Sequence, residues 1–169
     1  PVRYARRSQR TAQDWRQFPV SGISFADAEA YVTWLSTSGR VPGARLCSEL
    51  EWERAARGVD GREYPHGGRL GADEANVDVT YGKDPGGFGP DVVGSHPASR
   101  SPFGADDMAG NVWEWTRSWL EPGRPVARGG SFAFNVTSAR SSNRELPEPS
   151  LRDVTVGLRV CADAPVSGG

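Results

Sequence analysis

Met108-Ala109-Gly110-Asn111-Val112-Trp113-Glu114-Trp115 is followed by Trp119, so that Val112, Trp113, Trp115 and Trp119 place four large apolar groups within eight positions and use three of the six tryptophans. Trp113 and Trp115 alternate with Val112 and Glu114, the period-two pattern of a strand with two unlike faces. Tryptophans this dense are expected to form the core of the domain rather than a ligand-stacking surface. Working outward toward the C-terminus, further short strands are expected at Ala127–Phe132, Ala139–Asn143 and Gly157–Cys161, with a turn at Pro147-Glu148-Pro149 between the last two.

Toward the N-terminus regular periodicity vanishes. Gly58 to Gly104 is dense in Gly, Pro, Asp and Asn, and a loop of this length needs something to order it. Asn76, Asp78, Asp84 and Asp91 offer the oxygen atoms that calcium uses, yet the same residue types also serve as turn formers. Before the loop, two helices announce themselves. Ser24 and Asp27 form a capping box ahead of Phe25, Ala28, Tyr31, Val32 and Leu35, which recur at helical spacing as far as Gly39. Ser48 and Glu51 repeat the device ahead of Trp52, Ala55 and Ala56, with Gly58 as the stop.

Composition narrows the function. Glycine (21) and proline (13) make up about a fifth of the 169 residues, so much of the chain is ordered loop. Twenty basic residues against 21 acidic ones leave no field for general nucleic-acid binding, and no window has the apolar run of a membrane span. Cys47, Cys161, His66 and His96 are the only thiol and imidazole groups, and their spacing suits no closed zinc site. The two cysteines either form one long-range disulfide or remain buried thiols. Residues 1–18, with five arginines and no apolar period, read as a linker or incomplete N-terminal segment, 19–163 as the domain and 164–169 as a tail. A start at Pro1 without a methionine or signal pattern leads us to expect a piece of a longer protein. Nineteen arginines to one lysine suit a high-GC bacterial genome.

Five strings now stand in order: Pro19-Val20-Ser21-Gly22-Ile23-Ser24-Phe25, Arg45-Leu46-Cys47-Ser48-Glu49-Leu50-Glu51-Trp52-Glu53, the Met108–Trp115 string, Arg128-Gly129-Gly130-Ser131-Phe132 and Gly157-Leu158-Arg159-Val160. Together they resemble the formylglycine-generating-enzyme, or sulfatase-modifying-factor, family over Pro19 to Asp163. The resemblance implies an α+β, C-type-lectin-like fold with few helices, small twisted antiparallel sheets and much ordered loop. It also implies structural calcium. One site would use Asn76, the carbonyl of Val77, Asp84 and a carbonyl near Gly86. A second would use the carbonyls of Ala109, Gly110 and Val112 with the carboxylate of Glu114, which as a buried acid would otherwise be costly. Family domains usually begin with an N-terminal strand region that this chain lacks.

The branches of the family differ in chemistry. Formylglycine-generating enzymes resemble one another in a cysteine pair soon after Gly-Gly-Ser-Phe, which binds copper(I), a soft ion that requires thiolates. Here that stretch reads Ala133-Phe134-Asn135-Val136-Thr137-Ser138-Ala139-Arg140, with Phe134 at the first expected cysteine. Trp115 and Ser131 match residues of the enzymes' oxygen pocket but cannot bind copper. Sulfoxide synthases of thiohistidine biosynthesis hold iron with three histidines, and this chain has two, each expected to be a surface or hydrogen-bonded residue. Copper and iron are therefore not expected. Ser131 has no histidine near it in sequence, and Asp106-Asp107, Glu51 and Glu53 read as turn and helix-surface charges, so no catalytic set emerges.

The remaining members resemble non-enzymatic recognition modules fused behind bacterial serine/threonine kinases, or display proteins diversified by retroelements between Gly-Gly-Ser and Gly-Leu-Arg. That segment contains Phe134, Asn135, Thr137, Ser138, Arg140, Asn143, Arg144, Glu145 and Arg152, a mixed set suited to a surface that binds a protein or small ligand. An oxidase acting on a cysteine or other thiol is the alternative. Asn135-Val136-Thr137 is a glycosylation sequon, relevant only to a secreted eukaryotic protein.

Overall fold

In a computed structural model, residues 14–82 and 87–163 are described. Two helices lie where the capping boxes put them: α1 at Phe25–Thr37 and α2 at Glu49–Arg57. At each N-terminus the cap serine accepts a bond from the backbone three residues on, and the acid there accepts from the serine backbone. Both pairings satisfy N–H groups that a helix start leaves open. Helix α1 buries Phe25, Ala28, Val32 and Leu35, while Tyr31, expected on that stripe, is half exposed beside Trp34.

Five strands follow in chain order: β1 (Ala44–Leu46), β2 (Trp113–Glu121), β3 (Arg124–Arg128), β4 (Val156–Leu158) and β5 (Val160–Ala162). One sheet has the order β3-β2-β4, antiparallel between β2 and β3 and parallel between β2 and β4. The other pairs β1 with β5 antiparallel. The tryptophan-rich strand is central, and its two faces differ as expected. Trp113 and Trp115 pack with Phe25, Ala28, Val32 and Leu46, whereas Glu114 and Thr116 are buried polar groups.

Three strand expectations are corrected. The strand expected at Ala127–Phe132 is β3 and stops at Arg128, because Gly129 and Gly130 turn the backbone into positive φ (104° and 78°). Ala139–Asn143 is not a strand: Val136–Ala139 is a 3-10 turn capped by Asn135, whose side chain accepts from the Ser138 N–H. Gly157–Cys161 divides at Arg159, one part pairing with β2 and the other with β1. That change of sheet brings Cys161 to Cys47, and the two form a disulfide across 114 residues.

The long connection between α2 and β2 forms its own core of Tyr64, Ala75 and Val77 with Ala109 and Ala139. Its backbone is held by side chains: Thr80 Oγ1 accepts from Val77 N–H (2.9 Å) and donates to the Ala75 carbonyl (2.7 Å). Residues 1–13, Asp84, Gly86 and 164–169, for which the sequence carried expectations, lie outside the described residues. Among the described residues no helix is long and apolar enough to cross a membrane.

Candidate functional site

The Met108–Trp115 string fastens the long loop to the sheet. Gly110 has φ +74°, and a Cβ there would lie 2.4 Å from the Asn76 carbonyl oxygen, so the two segments meet backbone to backbone. Asn111 N–H donates to that carbonyl at 2.8 Å. Asn111, also left-handed (φ 67°), accepts from Asp91 N–H (2.9 Å) and donates to the Asp91 carbonyl (3.3 Å). Asn and Asp tolerate this conformation better than other side chains do.

Asn76 therefore sits at the junction, 1% exposed. Its Nδ2 donates to the Gly89 carbonyl at 3.0 Å, but its Oδ1 is buried without a hydrogen-bond partner. Beside it is a cavity of about 20 Å³ lined by Asn76, Val77, Asp78, Tyr81, Phe88 and Phe132, among others. A buried acceptor with nothing to accept is costly. A cavity of this size suits one water or ion, and the donors are the hard oxygens that calcium prefers. Asn76 and Val77, both named for the first calcium site, line this cavity.

Glu114 has donors of its own. Its carboxylate is compensated without a cation, because Arg159 donates to it through Nε and Nη2 (2.8 and 2.7 Å) and Trp52 through Nε1. Glu114 and Val112 line a cleft of about 310 Å³, whose walls are Pro19, Val93, Leu158 and Val160. The same cleft is lined by Asp107, which the sequence reading took for a turn charge. Asp107 is only 7% exposed and accepts from Gly94 N–H at 2.9 Å. Burial pushes its carboxyl above the usual aspartate range. It is left-handed (φ 54°) and sits just before the anchoring string, a position for which hydrophobic periodicity carries no signal. Among the described residues, no three or more His, Cys, Asp or Glu side chains are grouped to hold a metal.

Trp115 packs against α1. Its indole N–H donates to the Ile23 carbonyl (3.0 Å) and its ring meets Phe25 edge to face, so it belongs to the contact with α1. Trp113 lies beside the position that matters, with its ring 6.0 Å from Phe134 and its N–H buried and unpartnered. Ser131 is fully buried, accepting from Ala133 N–H at 3.3 Å, while Phe134 N–H donates to its carbonyl. Both cysteines of the chain are in the disulfide between β1 and β5, so no thiol is free. His96 is buried, with Nε2 2.8 Å from Asp91 and Nδ1 3.2 Å from the Asp73 carbonyl. Burial works against its charge, but these two bonds and the nearby carboxylates outweigh that and raise its pKa. His66 stands 3.2 Å from Glu74.

Most of the expected binding segment is exposed: Phe134, Asn135, Thr137, Arg140, Arg144 and Glu145. Ser138 is removed from that surface, because its hydroxyl is buried and donates to the Asn135 carbonyl at 2.7 Å. Asn143 is half-buried and donates to the Ser138 carbonyl. Arg152 belongs elsewhere, paired with Asp27 at the start of α1. The segment is positioned from beneath by Arg128, whose buried guanidinium donates to the carbonyls of Asn143 and Ser141 and to Glu53 of α2. Arg144 reaches the same helix through Glu49 at 2.6 Å. Glu53 is thus half of a buried ion pair rather than only a helix-surface charge, and Glu51, besides capping α2, binds Arg45.

The profile of the FGE-sulfatase family, described as a sulfatase-modifying factor enzyme 1-like domain, matches residues 2–164. Hercynine oxygenase of Mycobacterium tuberculosis is 35% identical over 86% of this chain and 37% of its own length. The inactive C-alpha-formylglycine-generating enzyme 2 of Mus musculus is 37% identical over 88% of this chain and 50% of its own length. Serine/threonine-protein kinase Pkn1 of Chlamydia trachomatis is 32% identical over 88% of this chain and 25% of its own length. Among solved structures, PvdO from Pseudomonas aeruginosa superposes with a TM-score of 0.73 at 30% identity, covering 89% of this chain and 64% of that one. The chain therefore spans a quarter to a half of these curated relatives, and its two helices and small mixed sheets are the α+β, lectin-like fold of these neighbours. By the match along nearly its whole length, the chain belongs to the sulfatase-modifying factor enzyme 1-like family.

Proposed function

We propose that this domain is a recognition module without catalysis of its own, which presents the surface around Phe134, Asn143 and Arg144 to a protein or small ligand. The observation that carries the reading is chemical. Phe134 stands against Trp113 where the resemblance puts a copper thiolate, and the only two thiols of the chain are joined in a disulfide elsewhere. Copper(I) has no thiolate left to hold it. The likeness to an inactive formylglycine-generating enzyme points the same way, and the likeness to a protein kinase suits a domain that works within a larger bacterial protein.

Calcium is the proposed brace of this surface. Asn76 Oδ1 and the Val77 carbonyl would hold it, with Asp84 and a carbonyl near Gly86 completing the set. A divalent cation there satisfies the orphaned oxygen and cross-links the long loop; it supplies no reaction chemistry. A second cation, as the resemblance implies, would draw on the carbonyls of Ala109, Gly110 and Val112 with the carboxylate of Glu114.

The likeness to hercynine oxygenase favours a second reading, a metal-dependent oxidase completed by residues from another part of a longer protein. Elemental analysis of protein purified without chelator, together with oxygen uptake in the presence of a thiol, separates the two. Calcium alone and no oxygen consumption are expected. Stoichiometric copper or iron with thiol-dependent uptake would overturn the proposal.

A further inference from the structure

Helix α2 carries a feature that neither the fold nor the proposed surface uses. Leu50 and Val59 are each 78% exposed, more than any other large apolar side chain described. Both line one open groove of about 360 Å³, together with Glu53, Arg54, Arg57 and Gly61. A single exposed aliphatic residue is ordinary. Two in the same concavity, with Phe103 (63% exposed) alongside, form a patch of the kind that marks an interface. Phe103 belongs to the patch through Arg54, whose guanidinium lies 5.8 Å from the ring centroid, and through its neighbour Pro102, which lies against Gly58.

The charges of the groove decide what fits it. Arg57 is bound to Glu53 (2.9 Å) and to the Gly61 carbonyl (2.7 Å), where it also complements the C-terminal end of the helix dipole. Glu53 is further held by Arg128 from behind. Arg54 has no carboxylate partner among the described residues. The groove thus offers one unmatched guanidinium on an aromatic ring between exposed aliphatic side chains, and arginine with aromatic groups is the composition of interface hot spots.

We propose that this groove docks an acidic, apolar peptide segment of a partner protein, with one large side chain bedded among Leu50, Val59 and Phe103 and an adjacent carboxylate on Arg54. The test is a ¹⁵N-resolved titration of the whole chain with acetyl-Asp-Leu-Phe-Glu-amide and, separately, acetyl-Lys-Leu-Phe-Lys-amide. Saturable shifts at the amides of residues 50–61 and 103 are expected with the acidic peptide only. Arg54→Glu should weaken the acidic peptide by about tenfold and admit the basic one, since exchanging attraction for repulsion is worth roughly 1.4 kcal/mol. Leu50→Ser with Val59→Ser should abolish binding of the acidic peptide, and of the basic one when combined with Arg54→Glu. These side chains are exposed, so an unchanged melting temperature confirms that the variants are folded. The proposal is overturned by the absence of saturable shifts, by equal shifts from both peptides, or by shifts that change on diluting the protein alone.

Discussion

Replacing Arg128 with methionine should cost about 3–5 kcal/mol, the range for breaking a buried ion pair by removing one partner. Its guanidinium is fully buried and donates to the carbonyls of Ser141 (2.8 Å) and Asn143 and to Glu53, with Glu49 at 3.6 Å and the Trp52 ring at 5.4 Å. Methionine fills much of the volume but leaves two carbonyls without donors, at roughly 1–3 kcal/mol each. It also forfeits a cation–π contact of about 1 kcal/mol. Glu53 suffers less, since Arg57 still holds it at 2.9 Å. Against these losses stands the cost of burying the charge, visible as the downward push that burial gives the Arg128 pKa, so the lower half of the range is expected. At about 2–4 °C per kcal/mol for a chain of this size, melting should fall by roughly 6–16 °C. Arg128→Lys should recover little, because an ammonium cannot reach two carbonyls and a carboxylate in a fork. Urea unfolding followed by tryptophan fluorescence gives the free energy. Hydrogen exchange at Asn143 and Glu145 should quicken well beyond that in α1, since Arg128 pins that segment. A loss below about 1 kcal/mol, or uniform exchange, would falsify the role assigned to it.

Three further outcomes follow from separate features. Gly110→Ala should prevent folding or cost more than about 3 kcal/mol, because a left-handed alanine costs roughly 1–2 kcal/mol and its Cβ would press on the Asn76 backbone at 2.4 Å; soluble yield and melting temperature measure it. Cys47→Ser with Cys161→Ser should lose about 4–5 kcal/mol, the loop-closure value for a 114-residue separation, while thiol titration of the unfolded, unreduced wild-type protein should find no free thiol. His96 has a raised folded pKa, so the stability from its contact with Asp91 is full below the ordinary histidine value near 6.5 and is lost as pH rises through the folded value. Urea midpoints should therefore decline from pH 6 toward pH 8, and His96→Gln should flatten that decline; an unchanged slope would remove His96 from the explanation.

Much of the frame was legible because it obeys local rules. Both helices follow from a serine, an acid three residues later and an apolar stripe, and all of that information lies within the helix and its cap. The central strand follows from its tryptophans. The expected strand at Ala139–Asn143 failed for an equally local reason: Asn135 and Ser138 offer the backbone side-chain bonds that compete with a ladder. Arg159, read only as part of a family string, proved to be the point where the chain leaves one sheet for the other and the partner that Glu114 needed.

The site was less legible because it is made by contacts between segments far apart in sequence. Asn76 matters through an oxygen that nothing else satisfies, and this depends on where Gly110, Asn111 and Gly89 fall around it. Asp107 looks like any turn aspartate until Gly94 and the cleft enclose it. Trp113 and Trp115 share one face of one strand, so alternation alone could not say which lies beside Phe134; the ring contacts distinguish them. A period of two or 3.6 residues records which face is buried and not what lies across from it. The lost thiols, by contrast, were visible at once, because a residue type that a metal requires is either written in the chain or absent from it. What can be read from such a sequence is therefore asymmetric: the absence of a residue type is plain in the chain, whereas the arrangement of the 134–145 segment takes form only when Arg128 fixes its backbone from beneath and Glu49 holds Arg144.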